Sequence, residues 1–195
     1  MRSVQSPPFQ LPQGRATLRS ADSIAFEEAW EAVREGACVP RRSAITLKNF
    51  VPFARRFAII EPDRARPALP FRLAGSGFFD FFGQDLTGVD YLTLVDPAIA
   101  RLAYDSVIAC LDRPCGLWQS TPATTAGTGR FSWEYTILPI ARDGMVPDQI
   151  VVYVDFEQPD LDPPLIRQIE HSTLWHWLDI GSGVPRIDAG GAVAA

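Results

Sequence analysis

From Asp22 onward, Phe26, Trp30, Val33 and Ala37 recur at helical spacing, which places them on one face of an amphipathic helix ending near Gly36. Glu27 and Glu28 lie toward the positive end of its dipole. A second helical or irregular piece, residues 45–57, carries Leu47, Phe50, Val51 and Phe53 and is interrupted by Pro52. Two short apolar runs, 56–60 and 69–74, then flank the polar, proline-bearing stretch 61–67 and are expected to pair as a hairpin. Gly75 and Gly77 break the second run, and Phe78, Phe79, Phe81 and Phe82 form a short helix stopped by Gly83.

Asp96-Pro97 is a helix start, a capping side chain followed by a proline preset for the first turn. The helix is expected to run to about Asp112, with Arg101, Asp105 and Asp112 on its wet edge. Three runs, 117–121, 131–140 and 149–156, joined by turns at Gly127-Thr128-Gly129 and Asp143-Gly144, are predicted as consecutive antiparallel strands. In the middle one Phe131, Trp133, Tyr135 and Ile137 alternate with Ser132, Glu134 and Thr136, so one sheet face should be aromatic. Asp162-Pro163 repeats the helix-start signal, and Leu165, Ile166, Ile169, Thr173, Trp177 and Ile180 predict a final helix ending at Gly181.

The organisation expected is a tail over 1–20, one domain over 21–158, a C-terminal helix over 159–183 and a flexible tail over 184–195. A chain of 195 residues fits one such core. The first twenty residues hold Pro7, Pro8 and Pro12 and lack the apolar run of a signal peptide, and no stretch reaches membrane-spanning length. Net charge of -5 supplies no positive field for polyanions, so neither nucleic acid nor membrane is an expected partner. Cys38, Cys110 and Cys115 are too few and too unevenly numbered for a disulfide framework, which points to a reducing compartment, the cytoplasm. Cys110 and Cys115 read as unrelated buried thiols.

Few residues offer chemistry. His171 and His176 are five apart and would not share a helical face, as a metal site would require. Ser76 between Gly75 and Gly77 lacks the nucleophile-elbow pattern, and Gly127-Thr128-Gly129 lacks the lysine of a phosphate loop. Asp80 with Asp85, and Asp160 with Asp162, read as caps and loop residues. Trp118, Trp133, Tyr135 and Tyr153, with Arg72 nearby, could line a small-molecule pocket or simply form core. Leu174, Trp175, Trp177 and Leu178 crowd the last predicted helix, and either meet a second subunit or bury within the chain.

The order of two strands, a helical segment and a three-strand meander resembles the PAS fold. The resemblance is carried by Phe71-Arg72-Leu73-Ala74-Gly75-Ser76-Gly77, by Phe82-Gly83-Gln84-Asp85-Leu86-Thr87-Gly88, by Gly129-Arg130 and Glu134, and by Leu138-Pro139-Ile140. These are similar to a family of stand-alone bacterial PAS-like proteins common in alphaproteobacteria, over about residues 22–158. The resemblance implies an α+β domain, a five-stranded antiparallel sheet with helices on one face, that senses a signal or docks a protein. The Asn-Cys-Arg-Phe motif of flavin-binding photosensors is absent from the sequence, a histidine leaves haem ligation open, and the cofactor is unknown.

The expected function is therefore a non-catalytic cytoplasmic module binding a small molecule or a protein partner, as a homodimer or with a signalling protein. A fused kinase or cyclase output would need far more chain. The alternatives are a small enzyme in which Arg72 and Glu134 enter one sheet cavity, and a purely structural adaptor.

Overall fold

The computed structural model describes residues 19–126, 130–143, 146–156, 165–172, 174–187 and 193–194. Residues 1–18 of the tail expected over 1–20, Gly127-Thr128-Gly129, Gly144, Asp160, Asp162-Pro163, Thr173 and most of the final tail lie outside the described residues.

Helix α1 spans Ala21–Ala32, capped by Ser20, whose hydroxyl accepts the Ser23 N–H at 3.0 Å. Phe26 and Trp30 are fully buried, and the helix stops before Glu35 and Gly36, both at positive φ. Ala37, expected on the apolar face, lies beyond the helix and is exposed. Helix α2 (Leu47–Phe50) runs into a 3-10 turn at Val51–Arg56 that carries Pro52 in its first positions.

Strands β1 (Phe57–Ile60) and β2 (Phe71–Ala74) pair antiparallel as predicted, and α3 (Ser76–Phe82) ends at Gly83, where φ is 66°. A conformation of that kind suits glycine because no Cβ obstructs it. Helix α4 covers Ala100–Asp112, starting later than Asp96-Pro97 predicts. Asp96 instead caps a preceding turn, accepting from Ala98 N–H at 2.8 Å, while its own N–H bonds to Ile169 O. The long strands β3 (Gly116–Thr125), β4 (Arg130–Ile140) and β5 (Gln149–Phe156) form the predicted meander.

The strand order β2-β1-β5-β4-β3 makes the five-stranded core, and the sheet continues past β3. Two strands, β6 (Ile166–Ile169) and β7 (Leu174–Leu178), lie along the two halves of β3, bridged by Glu170 N–H donating to Pro122 O at 2.9 Å. The C-terminal helix predicted over 159–183 is thus corrected: its described residues form the strands Ile166–Ile169 and Leu174–Leu178, joined and followed by irregular chain. Its apolar residues sit where both sheet faces are covered, so they lack polar alternation, and an apolar run of that kind does not separate strand from helix. The backbone of β3 needs hydrogen-bond partners on its outer side, and Leu-Trp-His-Trp-Leu, rich in aromatic strand formers, supplies them. A small ladder of β8 (Arg186–Ile187) with β9 (Val193–Ala194) stands apart from the main sheet.

Helices cover both faces of this α+β sheet, the expected N-terminal flanking helix taking the face opposite α3 and α4. On the first face α1 and α2 bury Phe26, Trp30 and Phe50 against Ile59, Trp118, Leu138, Val151 and Tyr153. On the second, α3 and α4 bury Phe78, Phe81, Tyr104 and Val107 against Ile60, Trp133, Tyr135, Ile137 and Val152. The nominally polar face of β4 is therefore covered at Thr136, which has no exposed surface, while Ser132 near its start stays exposed. Among the described residues no helix is long and apolar enough to cross a membrane.

Candidate functional site

Between the sheet and the helices α3 and α4 lies a cavity of about 20 Å³ lined by residues that include Phe71, Phe82, Tyr91, Val107, Tyr135 and Ile150. That is room for about one water molecule. Tyr91 and Tyr135 are the polar residues of its lining, and the surface turned to the cavity is almost wholly hydrocarbon. Asp90 places Tyr91 there: its carboxylate accepts the Leu92 N–H at 3.0 Å and the Leu69 N–H at 2.8 Å, folding the segment back over β2. Burial pushes the Tyr91 phenol up to about 12, opposed by a hydrogen bond with Tyr135. Burial likewise raises Tyr135 well above the usual phenol range, and Tyr91 adds to the effect. Both therefore stay protonated, and they hydrogen-bond to each other.

The five residues expected to line one pocket are divided by the fold. Trp133 and Tyr135 face α3 and α4, Trp118 and Tyr153 face α1, and Arg72 is exposed on β2. Tyr135 alone of the five borders the cavity. Tyr91 went unnoticed because nothing in its spacing marks it; a loop crossing delivers it. Arg72 and Glu134 do not enter one cavity, since neither lines it. The four residues expected to form one interface are also split, because a strand sends alternate side chains to opposite faces. Leu174 and Leu178 pack on the α1 side, Trp175 and Trp177 on the α4 side.

On the α1 side, Glu134 serves as a clamp. Its carboxylate accepts the Ser20 N–H at 3.0 Å and the indole N–H of Trp118, tying the start of α1 to β3 and β4. Arg19 pairs with Glu27 at 2.5 Å, and the His176 ring lies 5.0 Å from Trp118. Histidines 171 and 176 thus belong to an exposed segment and to β7, with no helix between them. Among the described residues no group of three or more His, Cys, Asp or Glu could hold a metal ion.

The other singled-out residues take structural places. Asp80 pairs with Arg55 at 3.0 Å, and Asp85 accepts the Thr87 N–H at 2.8 Å in a turn. Ser76 is the exposed first residue of α3, and the glycines on either side of it pack against backbone. Cys110 and Cys115 are free and buried, as expected, and are joined by a backbone bond, Cys115 N–H to Cys110 O at 3.3 Å.

Burial, then Arg19, holds the His176 pKa below its usual 6.5, with Glu27 opposing. The unfolded chain then binds the proton more readily, so stability is present above about 6.5 and is lost as pH falls through the depressed folded value. Between about pH 7 and pH 5 the urea midpoint of the wild type should fall, and His176→Gln should flatten that slope. An unaltered slope in the variant would remove His176 from the account.

The family model for the PAS domain matches residues 18–152, more than half of the chain. The chain belongs to the PAS domain family. Two solved structures that match the chain carry LOV in their descriptions. One, a variant of RsLOV, is 17% identical with a TM-score of 0.42, the match covering 57% of this PAS chain and 66% of that one. The other, a fungal LOV domain photoreceptor, is 15% identical with a TM-score of 0.40, covering 70% of this chain and 92% of that one. No curated protein matches the chain.

Proposed function

We propose that this PAS domain is a cytoplasmic regulatory module, with no catalytic step of its own, whose signal is a small, mainly apolar molecule carrying one hydrogen-bonding group. The observation that supports this is the small cavity between sheet and helices, its wall almost wholly hydrocarbon and bordered by the neutral side chains of Tyr91 and Tyr135. A guest larger than water must displace part of the wall. Phe82, half-buried on short helix α3, is the side chain best placed to yield. Such a shift would alter the surface offered to a protein partner or a second copy, which is how a domain with no reaction could pass a signal. The edge formed by β7, with Trp175, Trp177, Leu174 and Leu178 on its two faces, is the partner surface in this reading.

A second reading has its own support. The cavity admits about one water, as a filled core would, so the domain could dock partners without any ligand. Native mass spectrometry of the purified protein separates the two. Sensing predicts a copurified small molecule, lost in the Tyr91→Phe, Tyr135→Phe double variant with the far-ultraviolet circular dichroism retained. Protein without a ligand, with a thermal midpoint unmoved across a library of small phenols and ketones, would leave the adaptor. Retention of a copurified ligand by the folded double variant would overturn the tyrosine assignment. The Arg72→Ala variant should retain any ligand, because Arg72 lies outside the cavity lining.

A further inference from the structure

Two thiols meet where α4 turns into β3. Cys110 lies in the last turn of α4, Cys115 immediately precedes β3, and neither has exposed surface. Both belong to the same buried cluster between the sheet and α4. A backbone bond between the same two residues, Cys115 N–H to Cys110 O at 3.3 Å, folds the intervening Leu111–Pro114 back on itself. The bond keeps the two Cα atoms near the separation, about 4.4–6.8 Å, that a disulfide spans. Pro114 is part of the reason, since it cannot continue a helix and the chain must turn there. Cys38, by contrast, is exposed and touches Ser182.

We propose that Cys110 and Cys115 are a latent redox pair, closed by a peroxide into an intramolecular disulfide that staples the end of α4 to the start of β3. The balance is simple. One thiol sulfur attacks a peroxide oxygen, the O–O bond breaks, and a sulfenic acid and one water result. The second thiol sulfur then attacks the first, the S–O bond breaks, and a second water leaves with the remaining proton. Two electrons have passed from the sulfurs to the peroxide.

Burial, and then Cys115, keeps Cys110 well above the usual thiol range, so little thiolate exists in the closed fold. Reaction therefore waits on local opening of the α4–β3 junction, and its rate reports that opening. The staple has a reach beyond the junction. Val107, one turn before Cys110, walls the tyrosine cavity, so the oxidised form holds one side of that cavity fixed. The redox pair itself does not depend on whether the cavity takes a ligand.

The test uses the full chain carrying Cys38→Ser, which removes the exposed thiol. The folded protein is treated with hydrogen peroxide, quenched, denatured and alkylated, and its intact mass and the peptide spanning 110–115 are measured. The expected result is a loss of about 2 Da with neither cysteine alkylated, reversed by dithiothreitol, and absent in Cys110→Ala and Cys115→Ala. Closure should be at least about tenfold slower than oxidation of Cys38 in the wild type, since that thiol needs no opening. Should an alanine variant fail to fold, the peptide mass from the Cys38→Ser protein decides alone. Both thiols alkylating after a peroxide exposure about a hundred times longer than the one that consumes Cys38 in the wild type would overturn the proposal. So would a gain of oxygen on each sulfur without the cross-link.

Discussion

Trp30→Ala is expected to destabilise the domain by about 3–5 kcal/mol, the range for removing a large buried aromatic side chain. Trp30 has no exposed surface and projects from α1 into the layer between that helix and the sheet. Its indole N–H donates to Pro139 O at 3.0 Å, so truncation empties a ring-sized space and also orphans a buried carbonyl. Against a total stability of roughly 5–15 kcal/mol, that is a large share. The thermal midpoint should drop by about 6–20 °C for a chain of this length. Trp30→Phe should recover much of the packing and little of the hydrogen bond. A thermal scan of the three proteins checks the claim, and an alanine variant within a degree or two of wild type would show that α1 is dispensable to the fold.

Such a cost would also mark how far the first helix belongs to the core. Its role is readable in the sequence, because Phe26 and Trp30 sit one turn apart on a segment whose pattern opens at Asp22, although its cap, Ser20, falls within the expected tail. What spacing did not reveal is the face of the sheet it covers. Alternation in β4 displays Trp133 and Tyr135 against Glu134 and Thr136, and a polar residue in such a pattern suggests solvent. Glu134 is there for a different reason, to receive Ser20 and Trp118 beneath the helix. A carboxylate with two donors is compatible with partial burial, and hydropathy alone does not see the donors.

The strands of the core were legible wherever turn residues punctuate them, as at Glu61–Pro67 between β1 and β2. The sixth strand position was not. Leu174–Leu178 is apolar on both faces because α1 packs on one and the α4 layer on the other, and this erases the period of two. The candidate site was legible only through Tyr135. Tyr91 and the Cys110–Cys115 contact both arise from chain reversals, one set by Asp90 and one beside Pro114, and their geometry is not written in any periodic pattern.

The largest backbone effect is expected at Gly75. A Cβ added there would lie 2.2 Å from Ala54 O and 2.6 Å from Arg55 O, far inside van der Waals contact and against main chain, which has no rotamer to escape into. Gly75 φ is -69°, so the requirement for glycine is one of space and not of conformation. Gly77 meets the same carbonyl, with Arg55 O at 2.7 Å. The Gly-Ser-Gly run is thus the seat on which α3 lies against the 3-10 turn at Val51–Arg56. Gly75→Ala forces the two apart and should cost about 3 kcal/mol or more, at the upper end for overpacking. The displacement should also be visible locally. Phe81 and Phe82, at the far end of α3, pack on Trp133 with ring centroids 6.1 and 5.7 Å away, so Trp133 fluorescence should shift while α1 stays docked. Ser76→Ala, at the exposed position between the glycines, should stay within about 0.5 kcal/mol of wild type. Equal stability of Gly75→Ala and Ser76→Ala would mean that α3 does not rest on this backbone contact.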